Sequence, residues 1–341
     1  MKRLLLHLLA LLGLIVPTSC VTADDWTSTP RNNFEVLWNT LDQHYCFFDY
    51  KKQEYGLDWD EVYRRYSRQV NDSLSQRQLF QIMANMLGEL RDGHVNLWTS
   101  FDVARYADWY EAYPSNFSDT LSRITLGRTS DHQVSGTLRY RLLRDNIGYV
   151  RCPTFATEIS AATLHEVLRY LATANGLIID VRNNGGGMIT AAEQLASAFC
   201  NTPTLVGYMS HKRGPAHNDF AAPQPITLKP SQSLRWQKPV VVLTNRSTYS
   251  AANAFVMYMR QLPNVTLVGD RTGGGSGMPF SSELPNGWSL RFSASPMFTP
   301  AMQHTEFGID PDLKVDITAA DWQRGVDTIL ETAIDHLKLK P

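Results

Sequence analysis

The sequence predicts an α/β fold with a small helical domain in front of it. Three observations carry this expectation. Apolar residues recur at helical spacing up to about Leu90. From Asn146 onward, short apolar runs alternate with helical patterns. The runs at 177–181 and 240–244 are continuously apolar, as in strands covered on both faces. Such alternation implies helices packed on a sheet, with loops at the strand ends free to build a site.

At 341 residues the chain can hold one large domain and a smaller one. Hydrophobic residues make up 43% and charged residues 19%, so the chain can bury a core. The net charge is -1, with no Lys/Arg block and no C-x-x-C pair. Nucleic acid is therefore not an expected partner. No metal site and no cofactor is expected.

Residues 1–19 read as a signal peptide. Lys2 and Arg3 precede an apolar stretch at 4–16, too short to span a bilayer comfortably. Thr18-Ser19-Cys20 resembles a bacterial lipobox, which makes Cys20 a candidate for lipid attachment; the alternative is a simple secretory signal with a chance cysteine. Lipidation would anchor the protein at a bacterial cell envelope, with its periplasmic or surface orientation open. Cys46, Cys152 and Cys200 then remain, and an odd number of scattered cysteines reads as core rather than a disulfide framework.

Residues 20–30 are polar and form a tether. The helical domain, 31–99, contains three stripes. Phe34, Leu37, Trp38, Leu41 and Tyr45 form the first. Trp59, Val62, Tyr63 and Tyr66 form the second, capped by Asp58. Leu79, Ile82, Met83, Met86, Leu87 and Leu90 form the third, opened by Ser75 with Gln78 in a capping box. Residues 100–145 are irregular, rich in aromatics and Ser/Thr, and read as a bridging segment with strands that leads to the core at 146–338. In the core, Ile147–Arg151 reads as a strand and Ser160 caps a helix to about Ala174. A buried strand follows at 177–181, then a helix at 188–199, a buried strand at Val240–Thr244, a helix at 251–262 and a strand at 265–268. Asn286-Gly287 marks a hairpin before 288–292, and 319–337 is a terminal helix.

Three motifs carry chemistry. Asn245-Arg246-Ser247-Thr248-Tyr249-Ser250-Ala251-Ala252 leaves a buried strand and opens a helix. A serine there can expose its hydroxyl beside helix N-terminal amides, which stabilise an oxyanion. Serine also caps helices, so the residues leave open whether Ser247 caps and Ser250 reacts, or the reverse. Asp180-Val181-Arg182-Asn183-Asn184-Gly185-Gly186-Gly187 likewise joins a strand to a helix, without the spacing of a phosphate loop. Leu90-Arg91-Asp92-Gly93-His94-Val95 places a histidine after a glycine turn. His132, His211, His217 and His304 compete with His94 for the role of base.

These motifs, followed by Val268-Gly269-Asp270-Arg271-Thr272 and Gly308-Ile309-Asp310-Pro311-Asp312, resemble the tail-specific (C-terminal processing) serine proteases in both type and order. The likeness, to the tricorn-like branch, runs over roughly residues 30–335. It implies a crotonase/ClpP-like spiral of β-β-α units and a serine peptidase acting on peptides or unfolded protein. By matching position, Ser250 is the nucleophile. Ala251 and a glycine among 185–187, with Gly186 favoured, form the oxyanion hole. Many members use a lysine base, but that position is Gly275 here. The resemblance then assigns His94 as base and Glu306 as its orienting acid, with Asp92, Asp310 and Asp312 as neighbouring alternatives. Residues 95–147 are too few for the PDZ domain most members carry. A non-catalytic module binding an apolar ligand and an esterase are the alternative functions, the former suggested by eight Trp, fourteen Tyr and fourteen Phe.

Overall fold

The computed structural model of the chain describes residues 27–339. The expected signal peptide and Cys20 lie outside them.

Helix α1 (Pro30–His44) starts where the Thr29 side chain accepts the Asn32 N–H. Helix α2 (Phe48–Tyr55) has no counterpart in the sequence expectation, because its buried face carries Phe48 and Lys51 rather than an apolar stripe. Helices α3 (Trp59–Ser67) and α4 (Gln76–Gly88) begin at the expected Asp58 cap and Ser75–Gln78 capping box. The helical domain ends in a strand, β1 (Asn96–Trp98). The bridging segment contributes β2 (Val103–Arg105), then two helices absent from the sequence expectation, α5 (Asp108–Glu111) and α6 (Asp119–Leu126), and then the strands β3 (Gln133–Ser135) and β4 (Leu138–Leu142).

The core follows as β5 (Ile147–Arg151), α7 (Ala161–Tyr170), β6 (Gly176–Asp180), α8 (Ile189–Ser197), β7 (Thr204–Met209) and β8 (Gln224–Leu228). Then come β9 (Val240–Thr244), α9 (Ala251–Met259), β10 (Val265–Gly269), β11 (Gly277–Glu283), β12 (Ser289–Phe298) and β13 (Leu313–Lys314). The single terminal helix expected over 319–337 is two helices, α10 (Ala319–Gln323) and α11 (Thr328–Lys338). Gly325 interrupts the helix at φ 72°, and the Asp327 side chain restarts it by accepting the Leu330 N–H.

Among the described residues the strands form two sheets. A seven-stranded sheet runs β13-β10-β9-β6-β5-β4-β3, parallel from β13 to β5 and antiparallel beyond. The crossovers β5-α7-β6, β6-α8-β9 and β9-α9-β10 all step the same way. Right-handed connections then put α7, α8 and α9 on one face. There Leu164, Leu195 and Phe255 share a core with Leu177, Ile179 and Val242. The other face, with Ile178, Val241 and Val268, is covered by Ile329, Ile334 and Leu337 of α11. Burial of both faces is why these strands read as unbroken apolar runs.

The second sheet is antiparallel, β2-β1-β12-β7-β8, with β11 also on β12. The N-terminal helices pack on it, so Phe34, Leu37 and Met83 share one core with Leu97, Leu290 and Phe292. This packing hangs the end of α4 over the parallel sheet's loops. Cys46, Cys152 and Cys200 are buried free thiols.

Candidate active site

Strands β6 and β9 are neighbours, with Asp180 opposite Leu243, so the loops leaving their C-terminal ends meet. The two loops are tied together. Thr248 Oγ1 donates to the Val181 carbonyl at 3.0 Å, and the Tyr249 N–H donates to the Asn184 carbonyl at 3.0 Å. Asn245 Oδ1 accepts the Asn183 N–H at 2.9 Å, and Asn245 Nδ2 donates back to Asn183 Oδ1 at 2.6 Å. Below them, buried Arg182 forms two-pronged pairs with Asp180 and Asp327. The Asp-Val-Arg-Asn-Asn part of the motif is therefore scaffold, fixing where the glycines stand.

Ser250 occupies the residue before α9 with φ 58° and ψ −123°, and its side chain makes no capping bond. A non-glycine residue in such a conformation stores roughly 1–3 kcal/mol, held by the surrounding structure. Of the two serines, Ser250 is the one with a histidine beside it. Ser250 Oγ lies 3.0 Å from His94 Nε2, within proton-transfer reach. His94 sits in the turn between α4 and β1, where its N–H donates to Asp92 Oδ1 at 2.7 Å. The competing histidines bond elsewhere: His132 to Arg128, His211 to Ser295, and His217 to Asp42, while His304 stacks on Tyr50.

Glu306 is buried in the same region, but no hydrogen bond joins it to His94. Its Oε2 accepts the Ser276 N–H at 2.9 Å, and its Oε1 faces Lys51 Nζ at 3.4 Å. Asp92 Oδ2 accepts from the Tyr45 and Ser293 hydroxyls at 2.9 and 2.8 Å and lies 4.0 Å from the same Lys51 Nζ. His94 Nδ1 is buried, with the Gly277 backbone as its polar neighbour. The arrangement is a Ser250–His94 pair backed by a buried Asp92–Lys51–Glu306 cluster. Asp310 and Asp312 stand apart, ion-paired with Arg271 and Arg260 at the surface. Lys51, Tyr45 and Ser293 had no signal in the sequence, since each is brought in by tertiary contact.

Burial sets the electrostatics. It pushes the His94 imidazole down to about 4, with the Asp92 charge pulling only partly the other way. Burial, then the Asp92 charge, pushes Glu306 up to about 8. For Asp92 burial acts upward too, but the Lys51 charge, His94 and the hydrogen bonds outweigh it and hold the carboxyl below its usual range. These shifts favour the carboxylate on Asp92, the neutral acid on Glu306 and the neutral imidazole on His94.

Gly275, where the resemblance would have placed a lysine, has φ 73°, and a Cβ there would lie 2.3 Å from Tyr249 Cζ. The tyrosine ring, stacked on Trp109, fills the space a lysine side chain would leave through.

For the oxyanion hole the structure corrects one expectation. The Gly186 N–H is already donated to Asn184 Oδ1 at 2.9 Å, because the asparagine folds back under the triglycine turn. Ala251 is the first residue of α9, where an N–H has no intrahelical acceptor, and neither it nor Gly187 donates a hydrogen bond among the described residues. Gly187, Ser250 and Ala251 line a cavity of about 170 Å³ walled by Ile189, Met257 and Met297. On the other side of Ser250 lies an open cleft of about 560 Å³, lined by His94, Trp109 and Tyr110.

Comparison with known proteins matches residues 146–315 to the peptidase family S41 model and residues 27–88 to the tricorn protease C1 domain. A crystal structure of a peptidase candidate from Parabacteroides merdae is 50% identical, with a TM-score of 0.87 over 91% of this chain and 97% of that one. The chloroplastic C-terminal processing peptidase of Tetradesmus obliquus is 27% identical over 58% of this chain and 41% of its own length. The tricorn protease of Thermoplasma acidophilum is 25% identical over 73% of this chain and 20% of its own length. The chain thus spans about two fifths of the first curated relatives it matches. With one family model over its parallel-sheet core, a tricorn domain over its helices and a half-identical structural relative along nearly its whole length, this chain belongs to peptidase family S41.

Proposed function

We propose that the chain is a serine endopeptidase that cleaves peptides or unfolded segments through an acyl-enzyme at Ser250. The observation that carries this reading is the 3.0 Å approach of Ser250 Oγ to His94 Nε2 at a strained strand-to-helix turn. In this mechanism His94 takes the Ser250 proton as Oγ attacks the scissile carbonyl carbon. The oxyanion meets the Ala251 N–H, with Gly187 as second donor, since the Gly186 N–H is occupied. The imidazolium then gives its proton to the leaving amine, and water, activated by the same histidine, releases the acyl group. The Asp92 charge favours the imidazolium. Glu306 completes the Ser-His-Glu set indirectly, through Lys51, whose ammonium it shares with Asp92. A purely binding role would leave the strained serine and its bonded histidine without use. An esterase would use the same atoms, and amide substrates separate the two.

A pH–rate profile on an unfolded substrate, reduced casein, tests this. The neutral ring is the active form and burial holds its pKa near 4, so kcat/KM should stay level below pH 6 and fall by half near pH 4. The same depression means that His94 contributes stability above about pH 6.5 which is lost as pH falls toward 4, so folding is followed alongside by circular dichroism. No casein cleavage sinks the peptidase reading; a half-point near 6.5 sinks the buried-base assignment.

We further propose export and lipid attachment at Cys20, placing the enzyme on a membrane of the bacterial cell envelope. The support is the charged, apolar and lipobox-like succession at 2–20. A palmitate analogue should label the wild type in cells and leave Cys20→Ala unlabelled; equal labelling overturns the assignment.

A further inference from the structure

In the second sheet, β1 lies between β2 and β12, and Asn96 is in register with Arg105 on one side and Arg291 on the other. Residues in register across neighbouring antiparallel strands point to the same face. The alternate positions, Leu97, Ala104 and Leu290, enter the helical core. The face bearing Arg105, Asn96 and Arg291 is therefore turned the other way, onto the open cleft that holds His94 and Ser250. Arg291 lines that cleft and also the smaller cavity on the far side of Ser250.

Neither guanidinium has an ion pair, hydrogen bond or aromatic ring as partner among the described residues. Other arginines of the core differ: Arg182 and Arg246 each meet a carboxylate. Arg291 is half-buried, so its charge is partly desolvated without a counter-charge. Such a group gains most from an anion that arrives with the ligand. The strand that carries Arg291 is also tied to the turn that holds His94. Asn96, beside it in register, donates Nδ2 to the Gly93 carbonyl at 3.0 Å, in the same turn that carries His94.

We infer that Arg291, helped by Arg105, forms a subsite for a carboxylate of the peptide substrate. The inference rests on the peptidase reading, because a carboxylate is the anion an unmodified peptide carries. The planar fork of arginine suits it for two-pronged binding. The carboxylate comes either from the C-terminus or from an Asp or Glu side chain. Arg105 is exposed and adds a weaker, salt-screened pull.

The test measures binding to Ser250→Ala, so that turnover plays no part. Octapeptides of one neutral sequence, each carrying an uncharged fluorophore, are compared by anisotropy at low salt in three arms: C-terminally amidated, ending in a free carboxylate, and amidated with one internal Gln→Glu change scanned along it. At least one carboxylate peptide should bind about 10-fold more tightly than the neutral amide. Adding Arg291→Gln should erase that preference, Arg291→Lys should keep part of it, and Arg105→Gln should reduce it about 2-fold. The free-terminus and internal-Glu arms identify the source. Equal binding of all peptides, or a preference that survives Arg291→Gln in a protein of unchanged circular dichroism, overturns the subsite. Failure of the wild type to cleave casein would instead remove the peptidase reading and leave this binding order to stand or fall by itself.

Discussion

Ser250→Ala is expected to abolish labelling by a fluorophosphonate and to lower kcat/KM for peptide hydrolysis by ~10⁴-fold or more. The size follows from what the hydroxyl does. Without Oγ no acyl-enzyme forms, and only the oxyanion donors and binding remain to assist direct attack by water. Removing the hydroxyl costs the fold little, because it makes no capping bond for α9. The loss should thus appear in rate and not in unfolding. His94→Ala should cost a similar factor, since an uncharged hydroxyl with no base within 3.0 Å is a weak nucleophile. The double variant should be little worse than either single one, as groups acting as a unit are not additive. Labelling of the alanine variant at wild-type level would remove Ser250 as nucleophile. A near-normal rate for His94→Ala would point to another base.

Lys51→Met should be the most damaging change outside the reacting pair, lowering unfolding free energy by ~3–5 kcal/mol. Lys51 has no exposed surface. Its ammonium donates to the Leu90 and Arg91 carbonyls at 2.5 and 3.2 Å and faces both Glu306 and Asp92. Methionine fills much of the volume but strands the Asp92 carboxylate and two backbone carbonyls in a dry interior. Those carbonyls belong to the turn leading to His94, where Arg91 already sits at φ 46°, so Lys51 is a positioning residue for the base. Urea unfolding measures the effect. Asp92→Asn added to Lys51→Met should recover part of the loss by removing the stranded charge. A single variant within 1 kcal/mol of wild type would mean that the cluster is not held by Lys51.

The features of this fold that can be read directly from the sequence are local. Asp58, Ser75 and Ser160 cap helices because a short side chain beside the first N–H groups suffices, whatever surrounds it. Helix α2 escapes a search for apolar periodicity, since its buried face carries a lysine. The break at Gly325 is masked in the sequence because the apolar spacing resumes after it.

The α/β core, the helices before it, the motifs at 90–95, 180–187 and 245–252 and the glycine at position 275 can all be read from the chain alone. These depend on residue type and short-range spacing, which the chain carries wherever it is placed. How the motifs are joined is a property of the folded chain. Ser250 and His94 meet because the N-terminal helices dock on the second sheet and hang the α4 turn over the ends of β6 and β9. The same packing gave Glu306 a lysine instead of the histidine as neighbour, occupied the Gly186 N–H with Asn184, and set Arg105 and Arg291 on either side of Asn96. Each is a contact between residues far apart in the chain, and its energy comes from burial and desolvation, which exist only once the core has closed.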